Sequence, residues 1–255
     1  MLLVIDVGNT NIVLGIFDDD SLVKDFRVRT EKNATEDEFN LLVRGLFSVA
    51  NIKPEKINKV VISCVVPPMM TILDGFCNKY LAQVPHWVGP GSVKKCMPIL
   101  YNNPEEVGAD RIVNAVAAYQ KFKQPLIVID FGTATTLDVI SNDGEYLGGV
   151  ICPGVMISSE ALFHKASKLP RVEIFTPPKS VIGKDTSHSI KSGIIYGNAG
   201  LVDSMVKRIS KEMGAKPKVI ATGGLAVLIA DVSETIESVE MSLTLNGLRI
   251  ISKSL

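Results

Sequence analysis

The sequence predicts an α/β protein made of two related halves, on three observations. A β-branched run ending in Asp-x-Gly occurs twice, as Leu3-Val4-Ile5-Asp6-Val7-Gly8-Asn9-Thr10-Asn11 and as Ile127-Val128-Ile129-Asp130-Phe131-Gly132-Thr133-Ala134-Thr135. Each copy is followed by two more apolar runs broken by turn residues. A further strand pattern then returns in each half, at Lys59-Val60-Val61-Ile62-Ser63 and at Lys218-Val219-Ile220-Ala221-Thr222. These repeats divide the chain into 1–118 and 119–255, with an inserted segment at about 153–198.

Within the first half, Leu2–Asp6 reads as a strand and a turn through Gly8 leads to Ile12–Phe17. The turn-rich Asp18-Asp19-Asp20-Ser21 then returns the chain as Leu22–Thr30, which completes a β-meander. Thr35 and Glu38 form a capping box ahead of Phe39, Leu42, Val43, Leu46 and Phe47 at helical spacing. Val60–Val66 is a near-continuous apolar strand of the kind buried on both faces. Pro67-Pro68 ends it, and a helix carries Met69, Ile72, Leu73, Phe76 and Tyr80. The second half repeats the meander at Leu126–Asp130, Thr136–Ile140 and Tyr146–Cys152, with Asn142-Asp143-Gly144 as a hairpin signal. Meander, helix, strand and helix, duplicated, is a ribonuclease H-like plan with a nucleotide cleft expected between the halves.

Composition narrows the function. The 255 residues are 46% hydrophobic, with 27 basic and 27 acidic side chains. A balanced charge gives no general attraction to nucleic acid or to an anionic membrane. No apolar run approaches the roughly 20 residues that span a bilayer. Residues 1–7 lack the basic flank of a signal peptide and run straight into the first motif, which predicts a cytoplasmic protein. Cys64, Cys77, Cys96 and Cys152 form no CxxC pair and read as reduced thiols.

The chemistry-bearing residues follow from the repeat. Asp6 ends a buried strand, where open α/β sheets bind ligands. Gly8 lets backbone approach a phosphate, and Asn9, Thr10 and Asn11 add donors. A carboxylate beside a polyphosphate needs an intervening cation, so Asp6 implies Mg²⁺. One copy alone would read equally as a hairpin with an Asx-type turn; its recurrence at matching points favours a phosphate site. In the second copy Thr133, Thr135 and Thr136 offer hydroxyls to phosphate oxygens, and Asp130 offers a place for another cation. Thr222-Gly223-Gly224 presents bare backbone to a base or ribose. Finally, Gly108-Ala109-Asp110-Arg111 opens a helix running to Phe122. Its macrodipole favours an ionised Asp110, Asn114 lies one turn on, and Arg111 points elsewhere, able to grip a carboxylate. An Asp so placed can orient a substrate hydroxyl and accept its proton; a helix-start Asp is also a common cap.

The chain resembles the type III pantothenate kinases across nearly its whole length. The matching segments are Asp6-Val7-Gly8-Asn9-Thr10, Tyr101 with Asn103-Pro104, Gly108-Ala109-Asp110-Arg111, Asp130 through Thr136, Gly148-Gly149 with Pro153-Gly154, Gly183-Lys184 with Thr186, and Thr222-Gly223-Gly224. The resemblance implies the actin–hexokinase–acetate kinase superfamily fold and ATP-dependent phosphorylation of pantothenate to 4′-phosphopantothenate, the first committed step of coenzyme A synthesis. It also implies a homodimer, a divalent ion such as Mg²⁺, and a monovalent cation, K⁺ or NH₄⁺. By the same resemblance Asp110 is the general base, and Tyr101, Gly108, Ala109, Asp110, Arg111 and Thr186 contact pantothenate. Asp6, Val7, Gly8, Asn9, Thr10, Asn11, Ile12 and Val13 form the first ATP segment, Thr133 and Gly223 add ATP contacts, and Asp130 holds the monovalent cation. The register of Thr186 against the preceding Asp185 stays open. Two rivals remain at this point: a kinase of the same superfamily with another small acceptor, and a non-catalytic ATP-binding regulator.

Overall fold

A computed structural model describes all residues, 1–255, as two compact units, Met1–Lys121 with Leu243–Leu255 and Phe122–Ser242. In the first, β1 (Leu2–Val7), β2 (Asn11–Asp18) and β3 (Ser21–Arg29) form the meander. Then come α1 (Glu36–Val49), β4 (Lys59–Cys64), α2 (Pro67–Phe76), the two-residue β5 (His86–Trp87) and the short α3 (Pro90–Val93). The helix α4 (Ala109–Phe122) follows. The sheet order is β3-β2-β1-β4-β5, with β1 antiparallel to β2 and parallel to β4.

Alternation along β1 sorts its side chains by face. Leu3, Ile5 and Val7 join Phe39, Val43 and Phe47 of α1 and Met69, Leu73 and Phe76 of α2 in one core. At the start of α1 the capping box forms in full: Glu38 N–H donates to Thr35 Oγ1 at 3.2 Å, and Thr35 N–H donates to Glu38 Oε2 at 2.8 Å. Val4 and Asp6 face the other side.

The second unit repeats the frame. Strands β6 (Leu126–Phe131), β7 (Ala134–Ile140) and β8 (Tyr146–Pro153) form its meander. They are followed by α5 (Val155–Lys165), α6 (Thr186–Met213), β9 (Lys218–Thr222), α7 (Ala226–Ala230) and β10 (Ser238–Val239). Its sheet order, β10-β9-β6-β7-β8, is that of the first unit, with β6 antiparallel to β7 and parallel to β9.

Two boundaries differ from the sequence expectation. The last helix, α8 (Leu243–Ser252), groups with the first unit rather than with the 119–255 half. Its Leu245 packs against Gly15 of β2, where an added methyl would stand 3.2 Å from the leucine side chain, and its buried Leu248 and Ile251 continue the apolar stripe. Thr244 Oγ1 donates to Asn114 Oδ1 of α4 at 2.8 Å, and Lys59 Nζ donates to the Ser252 carbonyl at 2.6 Å. The expected insertion also does not end at 198: α6 runs unbroken for 28 residues and stops at Gly214, which takes the left-handed conformation at φ 61°. Buried Ile194, Ile195, Ala199 and Val202 carry the same apolar face straight through the expected boundary.

Candidate active site

In the first unit, three chain segments meet at the C-terminal ends of β1 and β4. Asp6 is the penultimate residue of β1, and its partner on β4 is Ser63. Cys64 follows Ser63 and lies within electrostatic reach of Asp6. Val65 leads out of β4, its amide donating to the Val7 carbonyl at 3.1 Å. Against Val65 lies Gly108, the residue before α4. A methyl at Gly108 would stand 3.7 Å from Val65 Cγ1 but only 2.6 Å from Asp110 Oδ1, so the bare backbone there makes room for the carboxylate.

The Asp110 carboxylate accepts the Arg111 N–H at 2.8 Å. Burial raises its pKa above the ordinary carboxylate value; the Arg111 amide, the Arg111 charge and its own amide oppose the shift without cancelling it. The helix terminus favours the ionised carboxylate, and desolvation works against it. Arg111 is 8% exposed, a buried cation. At Cys64 burial again comes first, and Asp6 adds to it: both push the thiol up, against the lowering effect of the Val66 amide.

The Asp6 turn is held from outside. Gly8 N–H donates to the Asn11 carbonyl at 3.0 Å, so four residues, Gly8 to Asn11, link the paired Val7 and Ile12. Thr30, just past β3, donates its hydroxyl to the Gly8 carbonyl at 2.7 Å and its amide to the Thr10 carbonyl at 3.1 Å.

In the second unit the corresponding turn is shorter. Phe131 pairs with Thr135, and Gly132 N–H donates to the Ala134 carbonyl at 3.1 Å. Asp130 lies between two hydroxyl residues at the same register, Thr136 on β7 and Thr222 on β9. Gly223 has φ 95°, and a methyl on it would stand 2.5 Å from Asp130 Oδ1 and 2.7 Å from the Phe131 backbone. That position requires glycine both for its conformation and for the approach.

Of the three threonines expected to face phosphate, only Thr133 is exposed in the turn. Thr135 is 1% exposed on the core face. Thr136 Oγ1 donates to Asp138 Oδ2 at 3.2 Å, and buried Tyr146 donates its hydroxyl to Asp138 Oδ1 at 2.7 Å. Both follow from strand alternation, because Thr135 shares a face with Phe131 and Leu137, and Thr136 shares one with Asp138. Thr186 opens α6 and is exposed; Asp185 before it is the cap, accepting the His188 N–H at 2.8 Å. Tyr101 sits half-buried in the loop before α4.

Sequence reasoning missed Thr30, Ser63 and the Asp138–Tyr146 pair. Period-2 alternation was the available signal for Ser63 and Asp138, since each falls on the face of its strand that carries the repeated Asp.

No group of three or more His, Cys, Asp or Glu side chains is placed to hold a metal ion. Single carboxylates at strand ends fit a hard cation that completes its shell with phosphate oxygens and water, as Mg²⁺ does. No helix is long and apolar enough to cross a membrane.

The sequence model of the type III pantothenate kinases matches residues 2–208. The chain belongs to the type III pantothenate kinase family. It is 67% identical to the type III pantothenate kinase of Desulforapulum autotrophicum over 99% of this chain and 96% of the relative. It is 66% identical to that of Desulfatibacillum aliphaticivorans over 98% and 97%. Among solved structures it is similar in fold to the inorganic polyphosphate/ATP-glucomannokinase of an Arthrobacter strain, with a TM-score of 0.51 at 16% identity over 100% of this chain and 99% of that one. The fold is thus that of the actin-like ATPases and sugar kinases. The family's activity is the ATP-dependent phosphorylation of pantothenate in coenzyme A biosynthesis, with a divalent ion.

Proposed function

We propose that the protein phosphorylates the primary hydroxyl of pantothenate with Asp110 as general base. The observation that carries this reading is the half-buried carboxyl of Asp110, raised by desolvation, at the start of α4 beside the segment that leads out of β4. A base with an elevated pKa accepts a proton more readily from a hydroxyl losing it late in phosphoryl transfer. Gly108, Ala109, Arg111 and Tyr101 orient the acceptor, with Thr186 as a further contact. Asp6 through Val13 bind the ATP phosphates through backbone amides and short polar side chains, Thr133 and Gly223 complete the nucleotide contacts, and Asp6 orients the divalent ion. When bound, that ion screens phosphate charge. Asp130 serves a monovalent cation, K⁺ or NH₄⁺, since a lone carboxylate beside hydroxyl and carbonyl oxygens suits a weakly held hard ion.

A homodimer is supported by exposed apolar side chains concentrated in α5 and the loop after it, including Met156, Ile157, Phe163, Phe175 and Ile182; Phe175 is 76% and Ile182 78% exposed. Four free cysteines accord with a cytoplasmic protein.

The test is kcat/KM for pantothenate against pH at saturating ATP, Mg²⁺ and K⁺. The acid limb is expected to have its midpoint above the ordinary carboxylate range, because the base must be deprotonated and its pKa is raised. A limb at the ordinary carboxylate value, or activity with other hydroxyl acceptors and none with pantothenate, would overturn the reading.

A further inference from the structure

Ser63 is fully buried, and its hydroxyl has no hydrogen-bond partner within the chain. An orphaned buried hydroxyl carries a desolvation cost, so its retention calls for an explanation. The residue lies on β4 directly opposite Asp6 of the parallel β1, and facing residues of adjacent strands project on the same side of the sheet. That side carries Val4 and Asp6; the alternate residues, Leu3, Ile5, Val7, Val60 and Ile62, fill the core on the other. The duplicated unit supplies an independent observation. There Asp130 faces Thr222 of β9 at the same register, and Thr222 is 2% exposed. Both units therefore set a buried hydroxyl next to the acid that ends the first strand, although the acid's other neighbour has diverged, Val13 in one and Thr136 in the other.

We infer that Ser63 is a positioning residue, whose hydroxyl donates to the Asp6 carboxylate and fixes its orientation when nucleotide and divalent ion are bound. A serine hydroxyl rotates freely about one bond and can turn toward Asp6 without moving the strand. This rests on the reading of Asp6 as the residue facing the divalent ion and the ATP phosphates. It also explains why the position is polar at all: a strand between buried Ile62 and half-buried Cys64 would otherwise favour another apolar side chain.

The experiment uses the full chain with Ser63→Ala, Ser63→Thr and Asp6→Asn, read by thermal melting of the nucleotide-free protein and by calorimetric Kd for ATP with Mg²⁺. Removing the orphan hydroxyl is expected to leave the melting temperature of Ser63→Ala equal to or above that of the unaltered protein. Its Kd for ATP with Mg²⁺ is expected to rise about tenfold, the size of one lost hydrogen bond to a charged group. Ser63→Thr, which installs the residue of the second unit, is expected to restore most of the affinity. In the Asp6→Asn background, Ser63→Ala is expected to add little. A Ser63→Ala protein that binds ATP and Mg²⁺ unchanged overturns the inference, as does one whose weaker binding simply follows a lower melting temperature. If Asp6→Asn itself leaves the Mg²⁺ dependence of binding unchanged, the reading of Asp6 fails instead, and the two failures are told apart by that variant.

Discussion

The two Asp-x-Gly turns share a sheet position and differ in how they are held. Around Asp6 the turn spans four residues and is tied down from outside by Thr30, while the sheet offers the acid one apolar neighbour and one orphan hydroxyl. Around Asp130 the turn is one residue tighter, the acid has threonines on both sides, and Gly223 presses against it from the end of β9. Duplication preserved the frame, because strand pairing and the core fix it. The ends of the strands diverged, because there local contacts such as those of Thr30 and Gly223, rather than the shared core, set the geometry. A longer turn of small polar residues suits a polyphosphate that arrives and leaves. A close-packed acid ringed by hydroxyls suits a small cation.

The sharpest way to break that contrast is at the glycines. Gly223→Ala forces a side chain into a left-handed conformation and into the Asp130 carboxylate, and is expected to cost about 3 kcal/mol. Gly8→Ala meets only the Asn11 carbonyl, at 3.2 Å, and is expected to cost about 1 kcal/mol or less. Chemical denaturation of the two variants checks this; equal losses would mean that the two turns are packed alike.

A smaller difference separates the edge strands. In the first unit Asp74 accepts one bond, from Trp87 Nε1 of β5 at 3.2 Å. In the second, Asp203 of α6 accepts from the hydroxyls of Ser233 and Thr235 and the amides of Glu234 and Thr235, at 2.6 to 3.1 Å, and so anchors the segment before β10. Burial pushes the Asp203 carboxyl up, but those four donors overcome it and hold it below the ordinary carboxylate value. Its contribution is therefore present above the unfolded-state pKa and lost as pH falls through the lower folded value. Asp203→Ala is expected to cost about 2 kcal/mol at neutral pH, against about 1 kcal/mol for Asp74→Ala. The gap between them should close in acid.

Much of the frame was legible because its signals are periodic. The meanders, the Thr35–Glu38 box and the helix from Ala109 to Phe122 all follow from alternation, caps and helical spacing. The two-residue strands at His86 and Ser238 carry no period to read. Helix α8 has one, but nothing local says which unit its leucines cover; only its packing on Gly15 and Asn114 does. At the site, residue types singled out both acids and Asp110 as candidates. They could not show that Thr135 turns into the core or that burial raises the Asp110 carboxyl, since both depend on what packs above the residue.

The central claim is that the repeated acids hold ligands while the unrepeated Asp110 performs the proton transfer. Asp110→Asn tests it most directly, with kcat, ATP affinity and melting temperature measured together. Removal of a general base is expected to lower kcat about 10²- to 10⁴-fold while ATP binding persists. Because burial raises the Asp110 carboxyl in the folded chain, its ionisation weakens the fold as pH rises above the ordinary carboxylate value, so at neutral pH the variant should melt no lower than the unaltered protein. An Asp110→Asn protein that turns over pantothenate at the original rate would contradict the account.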